Sequence, residues 1–600
     1  MKKQKLRSEI EDKYKWDLES IYKDNNEFDS DKDKVLNLIN KIESFKGNIT
    51  SSSDNLLKFL KYDEQIMIIL TNLYIYSSCK YNEDVSNTEN QKRYNEVSNV
   101  DSIYSDKSSF VLPELLKTDY SVIKDFINEN ESLKEYEFDL KEIYKYQKYV
   151  LSENEEKLIS NIGDLSRKYE SNFEVLLNSI LDFGTIKDEE GNEVELTIVN
   201  YSKYIKSKDR NVRKQAYENR GKVLKKYVSL LTIDFEGNLK SDSMIAKAKG
   251  YKSSLEMYLY PDDVTEDIYN NLLSIANKKL NILYKYYKLI KDITKIQDFK
   301  IYDLGAPLTE KSDKVYKPED AKKIITDALK ILGEDYVKVL TSAFDDRWID
   351  FYSSKGKRSG YYETSSFKSH PLVLGNYNDD LDSVSAICHE LGHAMHSYYS
   401  NKNNKEHNAE YTILVAEVAS LTNEILLSNY IVNNSNDKNE KLSAIENILN
   451  VFSNNFFGTL SEGSIFEKIV HEKVDNNEVL NEIDFNNIYE KISDDFYGDI
   501  VEKDEYIKYN WSRVPHFYSS FYYYKYSVGV SCACYIAKKI LNNDEDFKEK
   551  YLKYLTLGSS MSPIDELKTL GIDLSKEDIF ISAIDYFDSL IDKFYEIYNS

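Results

Sequence analysis

A chain of 600 residues with 79 Lys and Arg against 103 Asp and Glu carries a net charge of −24, which argues against a nucleic-acid surface, because phosphate recognition needs clustered basic side chains. Hydrophobic residues make up 41% and charged residues 30%, the balance of a globular chain, and the length calls for two or more lobes. No run of about 18 apolar residues occurs, so neither a membrane nor a nucleic acid is expected as a partner.

The first residues, Met1-Lys2-Lys3-Gln4-Lys5-Leu6-Arg7, are followed by Ser8-Glu9-Ile10-Glu11-Asp12 and not by an apolar stretch, so they read as no secretory signal. From about residue 8 to 180 the pattern is one of successive amphipathic helices. Val35, Leu36, Leu38, Ile39 and Ile42 have helical spacing, as do Leu56, Leu57, Phe59 and Leu60. Ile66-Met67-Ile68-Ile69-Leu70 is more continuously apolar and predicts a buried helix. A hairpin interrupts the helices: Phe183 to Ile186 and Val194 to Thr197 flank a turn-rich segment containing Gly191-Asn192. A boundary is expected near it, with a helical N-terminal lobe over 1–195 and a catalytic domain over 196–600. Helices resume from about 208 to 300, Gly305-Ala306-Pro307 breaks them, and Pro318 starts another. Pro371 to Tyr377 is short, apolar and flanked by breakers, which predicts an edge strand. Such an edge, with Gly375 in it, can hold an extended peptide by strand addition; a plain packing strand is the equal alternative.

The next stretch is Ile387-Cys388-His389-Glu390-Leu391-Gly392-His393-Ala394-Met395-His396. It contains His-Glu-x-x-His. On a helix His389 and His393 lie on one face and can point at one ion, and Glu390 can reach a water on that ion, the pattern of a zinc hydrolase. The chain has only seven His, and three of them fall between 389 and 396. A catalytic zinc wants three protein ligands and an open position. His396 lies seven residues beyond His389, about 10.5 Å of helical rise, so it is expected to pack beside the ligands or support them rather than bind the ion. The metzincin pattern needs Gly at 396 and His at 399, where this chain has His396 and Tyr399. Glu417 is the better third ligand. It stands in Leu414-Val415-Ala416-Glu417-Val418-Ala419-Ser420-Leu421-Thr422-Asn423-Glu424, an otherwise apolar helix, and shares a face with Glu424. A carboxylate facing a core is costly unless paired or metal-bound, so Glu417 reads as ligand and Glu424 as hydrogen-bond partner of a ligand His; a surface-facing charge pair is the alternative.

Four cysteines, Cys79, Cys388, Cys532 and Cys534, are too few for a disulfide framework in a chain this long, which suggests a reducing compartment. Cys532-x-Cys534 lacks the spacing of a zinc knuckle or a thioredoxin-type pair. Cys388 is one helical step, about 100°, from His389, so its thiol should point away from the metal.

These residues carry a resemblance. The chain resembles oligoendopeptidase F, within the thimet oligopeptidase-like zinc peptidases. The matching pieces are Tyr14-Lys15-Trp16-Asp17-Leu18, Phe344-Asp345-Asp346-Arg347, Lys355-Gly356-Lys357-Arg358-Ser359-Gly360, the His389 to His396 motif with Ala416-Glu417-Val418-Ala419-Ser420, Trp511-Ser512-Arg513-Val514-Pro515-His516-Phe517-Tyr518, Tyr551 to Gly558, and Gly571-Ile572-Asp573. Cys388 departs from the pattern, where a small apolar residue is expected. The resemblance implies a mainly α, bilobed zincin-type fold with a deep central channel and a small β element beside the zinc helix. It also implies cleavage of short oligopeptides and a cytoplasmic location.

Peptide hydrolysis develops an oxyanion, and neutral donors opposite the metal help to stabilise it. The resemblance implies that a His and Tyr residues on a flexible segment do this. Between 509 and 529 His516 is the only His, and Tyr518, Tyr522, Tyr524 and Tyr526 are the phenol candidates. Aligning the tail of the segment with the family favours Tyr524, while several of these Tyr must simply pack. Tyr518, Tyr522, Arg513 and Gly375 are expected to contact substrate, Arg513 either anchoring the segment or holding a substrate carboxylate. The expectation is one Zn²⁺ per chain on His389, His393 and Glu417, with Glu390 as proton carrier in an endopeptidase acting on oligopeptides. Two other readings stay open: a zinc carboxypeptidase or dipeptidase that reads a chain end, and a non-catalytic helical zinc-binding protein. The last needs a fourth protein ligand, usually Cys, and would leave Glu390 without a purpose.

Overall fold

The computed structural model describes residues 5–600 except 311 and 313, so the first four residues of the basic N-terminal run lie outside the described residues. The elements that matter for the site, in chain order, are α1 (Ser53–Glu83), β1 (Thr185–Lys187), β2 (Glu193–Glu195), α2 (Arg210–Lys249), β3 (Ile349–Tyr352), β4 (Tyr362–Thr364), β5 (Leu372–Tyr377), α3 (Leu381–Asn403), α4 (Ile413–Asn434), α5 (Ile465–Asp475) and α6 (Tyr524–Leu541). Helices dominate, and the described strands form a two-stranded and a three-stranded sheet. The mainly α class is as expected.

Contacts divide the chain into two units, each assembled from three separate stretches. The first holds Met1–Val150, Asp313–Leu427 and Ile536–Gly571; the second holds Leu151–Ser312, Ser428–Tyr535 and Ile572–Ser600. Residue 195 therefore falls inside the second unit.

In the first unit α1 is started by Ser52, whose hydroxyl accepts from Asn55 N–H, and Leu56, Phe59, Ile66, Ile69, Leu70 and Leu73 line its buried face. Met67 and Ile68 are only half-buried. The Ile66–Leu70 run therefore belongs to a one-sided helix and not to one buried all round. This core continues through Trp16, Tyr22 and Phe28 to Leu372 and Leu374 of β5. The sheet order is β3-β5-β4, with β3 parallel and β4 antiparallel to β5. The strand expected at Pro371–Tyr377 is thus present but central, a correction to the edge reading. Its near-continuous apolar run fits a strand covered on both sides; β3 and β4 are the edges. Gly375 lies in this central strand, where a Cβ would stand 3.1 Å from the Phe351 carbonyl oxygen and 3.2 Å from that of Asp350, so it admits a close backbone neighbour within the sheet. Helix α3 follows β5 after three residues, its N-terminus capped by Asp380, which accepts from Ser383 N–H.

In the second unit the expected hairpin is β1–β2, in register Ile186 with Val194, closed by a turn in which Gly191 takes a φ of 83°. The core gathers around Phe235 of the 40-residue α2, with Phe466, Phe485, Trp511 and Phe517 stacked or tilted on it or on one another. A π-helical stretch, Ser453–Ser464, runs into α5, and two short 3₁₀ turns, Ile507–Arg513 and Pro515–Tyr518, carry the chain towards α6.

Candidate metal centre

Helix α3 puts His389 and His393 one turn apart on one face, as the spacing requires. Their Nε2 atoms are 3.2 Å apart. Glu417 of α4 brings Oε2 to 3.4 Å from His389 Nε2 and 3.8 Å from His393 Nε2. These three are the one group of potential metal donors among the described residues, all within 4.8 Å of one another. Tetrahedral donors about 2.0–2.1 Å from one zinc ion stand roughly 3.4 Å apart, so the residues fit the metal that the motif implies.

Glycine sets this closeness. A Cβ on Gly392 would lie 2.5 Å from Ser420 Cα and 2.8 Å from the Ala419 carbonyl oxygen. Only glycine lets the backbones of α3 and α4 meet at the point that carries Glu417 to the two imidazoles.

The supporting contacts fix the rings. Glu424 Oε1 accepts from His389 Nδ1 at 2.7 Å, and Nε2 of the same ring faces Glu417 and His393. The Ala416 carbonyl accepts from His393. Ser420 Oγ donates to Glu417 Oε2 at 3.0 Å. Burial opposes the charge on His389, but hydrogen bonds and attraction from Glu417 and Glu424 outweigh it and push its pKa well above the usual value. Burial and the charge on His389 push His393 down to about 4. Burial would raise Glu417, yet its contacts with His389 hold it at about 2. Charge is thus favoured on His389 and disfavoured on His393. Glu390 is buried, and that burial, with the nearby Glu417 and Glu424 carboxylates, pushes it up to about 7.

His396 does not join the donors. Its ring stacks on Tyr411 with centroids 3.8 Å apart and planes 5° from parallel, and burial pushes its pKa down to about 3. Cys388 points to the Asn423 carbonyl at 3.6 Å, away from the imidazoles.

The second group of expected residues belongs to the second unit. His516 Nε2 is 3.3 Å from the Tyr526 hydroxyl, and the rings of Tyr522, Tyr523 and Tyr526 lie 5.8, 4.6 and 5.7 Å from its own. Tyr524 is not brought to His516. It is fully buried, packs edge-on against Tyr269 and points its hydroxyl at Asp262 Oδ2, 3.5 Å away. The helix begins at Tyr524, and Tyr526, two residues on, lies about 200° round it. Tyr518 likewise turns inward, its hydroxyl 3.3 Å from Asp234 Oδ2 and its ring on Phe173. Arg513 lies among Tyr489, Tyr523, Tyr201 and Glu462, whose attraction raises its pKa against burial.

Sequence reasoning missed Tyr523 and what holds it. A Cβ on Gly463, in the π-helical stretch, would lie 2.4 Å from Tyr523 Cδ2, so the absent side chain makes the seat for that ring. It missed also the turn before α6. Phe521 adopts φ 56°, its N–H donates to Glu467 Oε1 at 2.5 Å, and Ser520 Oγ donates to Asp242 Oδ2 at 2.6 Å. The one available signal was the interruption of the Tyr-rich run by Ser519-Ser520.

Two helices that converge two His and a Glu, with a second Glu set between the His, define a metallopeptidase of the His-Glu-x-x-His type. The model of Peptidase family M3 matches residues 203–586, and that of Oligopeptidase F matches 114–183. Oligopeptidase PepF of Bacillus subtilis (strain 168) is 32% identical over 594 residues, which cover 98% of this chain and 88% of the relative. A solved chain from Chlamydophila abortus superposes with a TM-score of 0.90 at 29% identity, covering 99% of this chain and all of that one. The crystal structure of oligoendopeptidase-F from Enterococcus faecium gives 0.75 at 27% identity, covering 96% and 99%. The chain belongs to peptidase family M3 and is a metalloendopeptidase of the oligoendopeptidase F kind.

Proposed function

We propose that the protein is a zinc-dependent endopeptidase that hydrolyses internal bonds of short oligopeptides, with Glu390 as the proton carrier. The observation that carries this is the convergence of His389, His393 and Glu417 beside a buried Glu390. Zinc held by those three residues would supply Lewis acidity to the attacking water and to the scissile carbonyl. Glu390, buried and adjacent to His389 in the chain, would accept the proton of that water and deliver it to the leaving amine. Glu424 keeps His389 in the tautomer that offers Nε2. His516 and Tyr526 are proposed as the donors to the developing oxyanion, Tyr526 in place of the Tyr524 favoured from sequence, because Tyr526 is the phenol paired with His516. Burial holds the His516 pKa below the usual value, so the ring is neutral at pH 7 and can donate without carrying charge.

Replacing Glu390→Gln is expected to lower kcat/KM on a quenched oligopeptide by about 10²–10⁴-fold while zinc stays bound by metal analysis. Normal turnover in that variant would overturn the mechanism. Mass spectrometry of products from an end-blocked peptide ladder tests the substrate reading. Internal cuts that fade with length support it, and cleavage restricted to unblocked ends replaces it with a chain-end peptidase. We also propose a reducing compartment, the cytoplasm, because all four cysteines are free and buried in a helical fold. Among the described residues no helix is long and apolar enough to cross a membrane.

A further inference from the structure

A cavity of about 220 Å³ lies in the first unit between the N-terminal segment, α1 and the turn before β3, and none of its lining residues belongs to the metal centre. Five cationic side chains line it, Arg7, Lys15, Lys23, Lys80 and Arg347, against three acidic ones. In a chain of net charge −24 this local excess runs against the overall sign. Part of it is paired: Lys15 meets Asp12 at 2.8 Å and Lys80 meets Glu83 at 3.6 Å. Arg7 gives Nη2 to Glu83 at 2.7 Å and to Asp350 at 2.6 Å, but its Nη1 is buried without a hydrogen-bond partner. Arg347 donates only to the uncharged carbonyls of Lys15 and Trp16, at 3.1 and 3.2 Å. Neither Arg347 nor Lys23 forms an ion pair among the described residues.

A buried guanidinium N–H without an acceptor is destabilising. The forked donors of Arg match tetrahedral oxyanions, and several Lys around one space favour more than one negative charge on the occupant. The buried rings of Trp16, Tyr22 and Tyr76 form part of its wall. Arg347 has φ 58°, a backbone conformation that a non-glycine residue keeps only under constraint, and the Asp17 N–H donates to its carbonyl at 2.8 Å. The turn that presents this guanidinium is thus tied to the N-terminal segment, and the cavity is built and not a chance gap between side chains.

We infer that this cavity binds a small multivalent oxyanion of the phosphate class, free or as the phosphoryl group of a small phosphorylated metabolite. Arg7 pairs with Asp350 of β3, and Arg347 stands just before that strand. An occupant held by both would brace the strand beside β5.

The test is calorimetric titration of the full-length, zinc-loaded protein with inorganic phosphate, pyrophosphate and AMP at fixed ionic strength, chloride and acetate serving as comparators, with the thermal midpoint read in parallel. The expected result is saturable binding of phosphate or pyrophosphate with a raised midpoint, absent with chloride and acetate. Lys23→Glu, at an exposed position, should fold normally and weaken binding at least about tenfold, and Arg347→Lys, which loses the fork, should do the same. AMP binding tighter than phosphate assigns the occupant to a phosphorylated metabolite; AMP binding equal or weaker assigns it to the free anion. An equal response to chloride overturns the inference. So does unchanged phosphate affinity in both variants, which is also the result expected if phosphate bound only at the metal centre.

Discussion

Glu424 is not one of the three clustered donors, yet it holds the His389 ring through Nδ1. Replacing it, as in Glu424→Ala, is expected to weaken zinc binding by about 10–100-fold, measured by chelator competition, while the helical circular-dichroism signal is kept. A second residue sets a pH dependence outside the cluster of metal donors. Glu566 is buried, its Oε1 has no hydrogen-bond partner, and burial pushes its pKa up to about 9 from an ordinary 4.5. A carboxyl raised on folding contributes stability that is fully present below about pH 4.5 and is lost as pH rises through about 9. Glu566→Gln should therefore flatten the decline of the thermal-unfolding midpoint across that window, raising it relative to the parent at pH 8 more than at pH 5. At this scale the convergence of His389, His393 and Glu417 was legible because helix geometry turns spacing into direction. Tyr526 was not singled out for the same reason in reverse: the phase of α6 is set by the strained turn at Phe521, held by Glu467 and Asp242, and no spacing rule reports where a helix starts after such a turn.

Between elements, distance of approach does the work that spacing does within one. The π-helical stretch before α5 leaves room at Gly463 for the Tyr523 ring, which packs 4.6 Å from His516. Gly463→Ala would force that ring to move. Its expected effect is a fall in kcat of tenfold or more with unchanged zinc content, because the metal donors all lie in the other unit. Unchanged kcat would show that the Tyr523 seat does not position His516. The strand at Leu372–Tyr377 was legible as a strand and misread as an edge. Its apolar run marks burial, but burial of the two faces and pairing of the two edges are separate properties, and the residues that pair with it are distant or irregular in sequence. Nothing in the pattern around Ile349 or Tyr362 announces which neighbour each strand takes.

For the molecule as a whole, the helical class was legible from periodicity, and the grouping of the helices was not. Composition changes little along the chain, and the hairpin near 195 was the most visible punctuation. Contacts follow another division, in which the N-terminal helices share a core with Leu372 and Leu374 and the hairpin sits in the second unit. A fragment of residues 1–195 is expected to be helical by circular dichroism but to bind a hydrophobic dye and unfold without a sharp transition, because the core partners between 313 and 427 are missing. A sharp, cooperative transition in that fragment would make the N-terminal lobe independent of them.

The three-part construction of the first unit has a consequence in time. All four residues proposed to bind or orient at the metal, from His389 to Glu424, are synthesised well before the stretch Ile536–Gly571 that completes their unit. At about 5–20 residues per second the interval from residue 424 to residue 571 is roughly 7–30 s. For that period a nascent chain on the ribosome holds every donor of the site without the rest of its scaffold. Zinc bound within that interval would act as a nucleus for this half of the protein, and zinc bound after it as a final addition.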